Sequence, residues 1–123
     1  RIGTAGTILT TDQNFVGLYN SSGTLLVSSA DQTTPWATTG TKTTAITPQT
    51  LAVGNYYVAF VANSAGIQPA LNGGAGNSDL NNINLSAGTA RFLNTAAGNT
   101  TLPASITLAS QSINAANRWA GLT

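Results

Sequence analysis

The feature that most constrains the fold is an apolar run at residues 51–62, LAVGNYYVAFVA. After the turn signal Gly54-Asn55 come aromatic and β-branched residues with no proline and no charge. A short apolar run bounded by turn signals is typical of a strand that is buried on both faces. Successive side chains of a strand point to opposite faces, and both sets are apolar here. We therefore predict a central strand, covered by a second sheet, with Tyr56 and Tyr57 in the core.

Charge is scarce along the whole chain. Charged residues make up 6% of the 123 residues, whereas about a quarter is usual in a soluble domain. The four cations are scattered, which argues against nucleic-acid binding, because that requires clustered Lys and Arg. With no His and no Cys, folding should tolerate salt and mild pH change, which suits an extracellular particle. No apolar run approaches the roughly 20 residues of a membrane span, so no membrane insertion is predicted.

The length predicts one domain, residues 1–123, and the start without Met predicts that it is cut from a longer protein. The clearest hairpin is FVGLY–NSSG–TLLVS at residues 15–28. Further strands are predicted at residues 2–11, 42–47, 89–94, 102–108 and 115–123, and an irregular loop at residues 63–85. No helical period is present beyond one turn at residues 110–117. The predicted class is all-β, a single antiparallel β-sandwich or jelly-roll-like domain.

Few side chains of this sequence could take part in catalysis. Asp12, Asp31 and Asp79 are far apart in sequence, and there is no Glu. Glycoside hydrolysis needs two facing carboxylates, and a nucleophilic triad needs a base that a chain without His does not supply. Each Asp is better explained as a turn former. A calcium site at residues 78–82 lacks acidic density. We predict no enzyme, no metal and no cofactor.

Ligand binding is harder to dismiss because Trp36 lies in a polar loop, residues 31–40. Its flat ring can stack on a sugar while Asp31 and Gln32 bind sugar hydroxyls. In the alternative interpretation, Trp36 folds back over the open end of the sandwich, since an exposed Trp is uncommon on a monomer. The predicted ligand-binding residues are Trp36, Asp31 and Gln32, whereas Trp119 is expected in the core or a subunit interface.

The order of these motifs resembles a β-sandwich domain of phage tail and tail-fibre proteins, from phages of actinobacteria and similar hosts. The pattern is a GLY-turn-G-LL hairpin, an ADQ-Trp loop, Leu-x-x-Gly-x-Tyr-Tyr-Val-Ala, a long Gly/Ala loop, and a late Arg-Phe and Trp. The matching residues are Leu18, Tyr19, Gly23, Leu25, Leu26, Asp31, Gln32, Trp36, Lys42, Leu51, Gly54, Tyr56, Tyr57, Arg91, Phe92, Leu102, Pro103 and Trp119. The resemblance spans most of the chain and includes no catalytic signature. It implies a virion component, often at the distal end of a trimeric or multimeric fibre.

Three hypotheses for the function follow from the composition and this resemblance. The first is a tail or fibre-tip domain, outside the cell, that contributes to host-surface attachment. Its expected partners are host cell-wall glycan, other virion proteins and further copies of itself, with a trimer favoured. The second is a purely structural virion module, a capsid decoration or tail spacer, that only self-associates. The third is a carbohydrate-binding or adhesin module of a secreted bacterial protein.

Overall fold

The computed structural model describes residues 1–73, 82, 85–86, 88–114, 118 and 120. Its elements are β1 (Ile2–Thr4), β2 (Phe15–Asn20), β3 (Leu25–Ser28), α1 (Thr33–Trp36), β4 (Tyr56–Val61), β5 (Ala70–Leu71), β6 (Leu93–Asn94), a 3₁₀ helix (Leu108–Ser110) and β7 (Ser112–Ile113). The strands form three small antiparallel sheets, ordered β1-β5, β3-β2-β4 and β6-β7. The all-β prediction is therefore confirmed. The layered packing of a sandwich or jelly roll stays a prediction.

The predicted hairpin is the β2–β3 pair, and its turn is built by one asparagine. The side-chain oxygen of Asn20 accepts hydrogen bonds from the backbone amides of Ser22 at 3.0 Å and Thr24 at 2.9 Å. Gly23 has φ of +80°, and a side chain there would collide with the carbonyl oxygen of Ile106. Because this turn needs a glycine at that position, the local sequence alone determines the hairpin.

The apolar run lies at an edge of the main sheet. The central strand is β2, in which Leu18 and Tyr19 are 2% and 1% exposed. Every residue of β4 is half-buried, and residues 51–55 are exposed and lie outside any strand. The strand predicted after Gly54-Asn55 thus forms as β4, but its predicted central position in the sheet is wrong. The reason is that an apolar composition indicates that the side chains of a strand are packed against others. It does not indicate whether the strand has neighbouring strands on one edge or on both.

Residues 102–106 cover one face and one edge of the main sheet. The hydroxyl of Tyr19 donates to the carbonyl of Pro103 at 2.7 Å. The backbone amide of Leu25 in β3 donates to the carbonyl of Ala104 at 2.9 Å. The strand predicted at residues 102–108 is wrong, since only one isolated bridge forms there. Pro103 has no backbone N–H and so cannot donate a hydrogen bond to a neighbouring strand.

Other predicted strands are shorter than expected. Residues 2–11 and 89–94 contain only the short strands β1 and β6, and residues 42–47 form no ladder. The predicted strand at residues 115–123, with Trp119, falls mostly outside the described residues. In the loop predicted at residues 63–85, residues 74–81, 83 and 84, with Asp79, lie outside them, and the described part contains the short strand β5.

One helix was not predicted. Helix α1 (Thr33–Trp36) lies within residues 31–40, which we predicted to be loop. Proline 35 is tolerated because the amides of a first helical turn have no partner within the helix. Four residues are too few to show a helical period, so the pattern could not reveal this element. The single helical turn predicted at residues 110–117 shares only Ser110 with the 3₁₀ helix. Ser112–Ile113 form β7 instead, and residues 115–117 lie outside the described residues.

Candidate functional site

Trp36 is a buried residue, with 3% of its surface exposed. Its amide donates to the carbonyl of Gln32 at 3.0 Å, and its carbonyl accepts from the amide of Gly6 at 2.9 Å. A ring with so little open surface offers no face to a sugar. Its position matches the alternative interpretation, in which Trp36 folds back over the core. A ligand-binding role stays a prediction, and it would require α1 to move away from the core.

Asp31 and Gln32 lie beside Trp36, but their polar atoms bind other parts of the chain. The carboxylate of Asp31 accepts from the backbone amides of Asn14 at 3.1 Å and Thr33 at 3.2 Å. Gln32 is 7% exposed, and its side-chain oxygen accepts from the hydroxyl of Thr44 at 3.0 Å. These bonds order the loop, and a ligand-binding role for either residue stays a prediction.

Asn14 is the centre of this polar network and is fully buried, with 0% exposure. Its side-chain amide donates to the carbonyl of Thr10 at 2.6 Å and to the hydroxyl of Thr33 at 2.9 Å. Its side-chain oxygen accepts from the amide of Asn63 at 3.1 Å. Each polar atom of the side chain is therefore satisfied, as buried polar groups require. One residue joins three segments that are distant in sequence.

The environment of Asp31 favours its charged form. Partial burial acts to raise its pKa, but hydrogen bonds from Thr33, Asn14 and Asp12 outweigh it, so the pKa lies below its ordinary value. A carboxyl group with a lowered pKa is ionised at neutral pH and holds no proton to donate. Asp31 therefore acts as a structural anchor of its loop.

A cleft of about 610 Å³ lies between β4 and the chain segments that carry β6 and the 3₁₀ helix. Most of its lining is apolar, and its aromatic lining residues are Tyr19, Tyr56, Tyr57, Phe60 and Phe92. Burial raises the pKa of the Tyr19 phenol, which keeps that group neutral. A concave, mostly apolar site with a few polar groups is the usual form of a binding site in proteins.

The wall opposite β4 is held by Asn82, which is 5% exposed. Its side-chain oxygen accepts from the amides of Arg91 at 2.8 Å and Phe92 at 3.2 Å. Its side-chain amide donates to the carbonyl of Asn114 at 3.0 Å. The side chain of Asn114 in turn donates to that of Asn94 at 2.7 Å. This wall is thus fixed by specific hydrogen bonds, which gives the cleft a defined width.

The outer edge of β4 borders the same cleft. On the other side of the sheet, the amide of Ser29 donates to the carbonyl of Val16 at 2.8 Å, so that the backbone groups of Val16 face β3. Backbone groups of successive strand residues face opposite edges. The residues of β2 on either side of Val16 therefore face β4, and the β4 residues that pair with this set are Tyr57, Ala59 and Val61. The backbone groups of Tyr56, Val58 and Phe60 face outward.

No described residue forms a backbone hydrogen bond with this outer edge. The opposite edge of the sheet differs, because residues 104–106 bond to β3 and its turn there. An uncharged six-residue edge without proline is a template for another strand. In the described part of the chain, β4 therefore combines an apolar cleft with an open hydrogen-bonding edge.

The sequence did not predict this cleft. Its β4 aromatics were expected in the core, because an apolar pattern on both faces was taken to mean a central strand. The same pattern is equally typical of an edge strand that borders a binding cleft. The opposite wall depends on the contacts of Asn82 with residues about ten and thirty positions away, and no local pattern signals such contacts.

The described residues contain no group of three or more His, Cys, Asp or Glu side chains that could hold a metal ion. In the same part of the chain, no helix has the length and apolar character needed to cross a bilayer.

No protein-family model, curated protein or solved structure matches this chain. The likeness to phage tail and tail-fibre domains rests on the sequence motifs alone.

Proposed function

We propose that this chain is a domain of a phage tail or tail fibre that assembles into a multimer through the outer edge of β4. The multimer presents uncharged loops to the host surface and so contributes to attachment. The observation that carries the proposal is the uncharged edge of β4, which borders an apolar cleft and pairs with no described residue. Strand addition to such an edge is a common mode of protein association. The proposal includes no catalytic step and keeps the two-layer sandwich as its architecture.

The test is sedimentation velocity of the chain over a range of concentrations, with Val58→Pro as the variant. The amide of Val58 faces outward, so proline removes a donor from the open edge and none from the pairing with β2. We expect the wild-type chain to form a multimer, and Val58→Pro to remain monomeric with its fold intact by circular dichroism. Ala59→Pro is the matched control, because it removes an amide that bonds to β2 and should destabilise the fold itself.

Two results would contradict the assembly proposal. One is a wild-type chain that stays monomeric at every concentration. The other is a folded Val58→Pro variant that assembles as well as the wild type, because the contact would then lie elsewhere on the surface.

A second candidate function is binding of host cell-wall glycan in the cleft. The observation that favours it is the set of aromatic rings in the cleft beside amide and guanidinium side chains such as those of Gln111 and Arg118. Pull-down of the chain on purified host cell walls tests it. Phe92→Ala should reduce binding, and Ile67→Ala, at a side chain that is 56% exposed and outside the cleft lining, should not. Equal retention of both variants, or no retention of the wild type, would rule out this function for the cleft.

A further inference from the structure

We infer that residues 42–47 of a second copy of this chain occupy the open edge of β4. This inference rests on the proposed assembly and names its partner. The edge offers the outward backbone groups of Tyr56, Val58 and Phe60, each with one donor and one acceptor. Only another extended backbone matches donors and acceptors at this spacing. The occupant must therefore be a strand.

Residues 42–47 are a strand-like segment whose backbone pairs with no described strand. Burial alternates between half-buried and exposed from residue 42 to residue 47, which is the period of an extended chain. No backbone hydrogen bond joins residues 41–55 to any described residue. Contacts of this segment are made by side chains, such as the hydroxyl of Thr44 with Gln32 at 3.0 Å. Its sequence is β-prone, but its backbone pairing is missing.

The two elements match in length and charge. Both contain six residues, which is about 20 Å of extended chain. Residues of β4 carry no charge, and the single cation of the segment, Lys42, donates to the hydroxyl of Thr38 at 2.6 Å. No like charges would therefore face each other across the new pair.

A second copy explains both open elements, whereas a foreign strand would explain one. If each copy gives residues 42–47 and receives the same segment from its neighbour, neither element stays unpaired. Such a contact joins two different surfaces and is therefore head-to-tail, and it closes into a ring when the rotation between copies allows. A closed ring is compatible with the multimeric fibre domain of the proposed function.

Cysteine cross-linking tests the pairing directly, because the chain has no native cysteine. Ala45→Cys is mixed with variants that carry one cysteine at each β4 position in turn, and disulfide dimers are read on a non-reducing gel and by mass spectrometry. We expect at least one mixture to give a mixed dimer, whose β4 position then defines the register. Each β4 variant alone should not cross-link. Ala30→Cys, at an exposed residue in the turn after β3, is the control that should not cross-link with Ala45→Cys.

Proline substitution provides a second readout. Ala45→Pro removes no backbone hydrogen bond between described residues of one chain. It removes a donor from the proposed ladder in the register that turns the Ala45 amide toward β4. Association should weaken about tenfold or more, while the unfolding midpoint stays unchanged. Thr50→Pro, in the same unbonded stretch but outside residues 42–47, should leave association unchanged.

The outcomes separate this inference from the proposed function. A multimer that gives no cross-link between residue 45 and β4 overturns the inference and leaves the assembly through β4 standing. A β4 variant that cross-links to itself also overturns it, because two β4 edges would then pair symmetrically. A chain that is monomeric throughout overturns both.

Discussion

Asn14→Ala should destabilise the fold strongly, although the residue is polar. The substitution removes three side-chain hydrogen bonds from a site with no solvent exposure. It leaves the carbonyl of Thr10 and the amide of Asn63 without these partners and opens a small cavity. At about 1 kcal/mol for each bond, the free energy of unfolding should fall by about 3 kcal/mol.

Urea unfolding followed by circular dichroism measures this change. With a slope of about 1.5 kcal/mol per molar urea, the midpoint should fall by about 2 M. Asn99→Ala is the matched control, because its side chain makes two hydrogen bonds at an exposed site, to Thr95 at 3.3 Å and Ala96 at 2.9 Å. Water replaces such bonds, so this control should lose less than about 1 kcal/mol. An equally small loss for Asn14→Ala would refute the reasoning that this residue joins the three segments.

Three further substitutions test separate features of the structure. The pKa of Asp31 is lowered in the fold. The charged carboxylate therefore stabilises the folded state above the ordinary pKa of Asp, and this stabilisation is lost below about pH 4, as the pH falls through the lowered pKa. When the midpoint of unfolding is measured as a function of pH, it should fall less below pH 4 in Asp31→Asn than in the wild type. An equal fall in both proteins would contradict this assignment. Gly17→Ala should cost about 1–3 kcal/mol in thermal or urea unfolding, because its new methyl group would collide with Leu102 and approach Leu25 to 3.0 Å; a neutral effect would mean that residue 102 does not pack on β2. Ile8 is 73% exposed and has a φ of +52°, a backbone conformation that Asn adopts more easily than Ile. Ile8→Asn should therefore raise the free energy of unfolding by about 1 kcal/mol. A loss of that size would show that the Ile8 side chain contributes packing.

Local sequence signals predicted only the parts of the fold that are determined locally. The β2–β3 hairpin depends on Asn20 and Gly23, which lie three residues apart, and it was predicted correctly. The position of β4 depends on which strands lie beside it: β2 pairs with one of its edges, and no described strand pairs with the other. Apolar composition contains no information on this choice. The edge position of β4 therefore required the structure.

The candidate site shows the same division between local and distant causes. Trp36 was selected as a ligand platform because its neighbours in sequence are polar, yet α1 turns the ring inward. The turn chemistry of Asp31, in contrast, was predicted from the sequence and agrees with its bond to the amide of Thr33. The cleft combines β4 with a wall fixed by Asn82, and long-range hydrogen bonds of this kind have no sequence signature.

Hydrogen exchange of the six β4 amides, followed by NMR at low and high protein concentration, tests the open edge most directly. In the dilute monomer, the amides of Tyr57, Ala59 and Val61 should be protected, and those of Tyr56, Val58 and Phe60 should exchange rapidly. On assembly, the second set should become protected as well. Uniform protection of all six amides in the monomer, or rapid exchange of the outward set in the multimer, would contradict strand addition at β4.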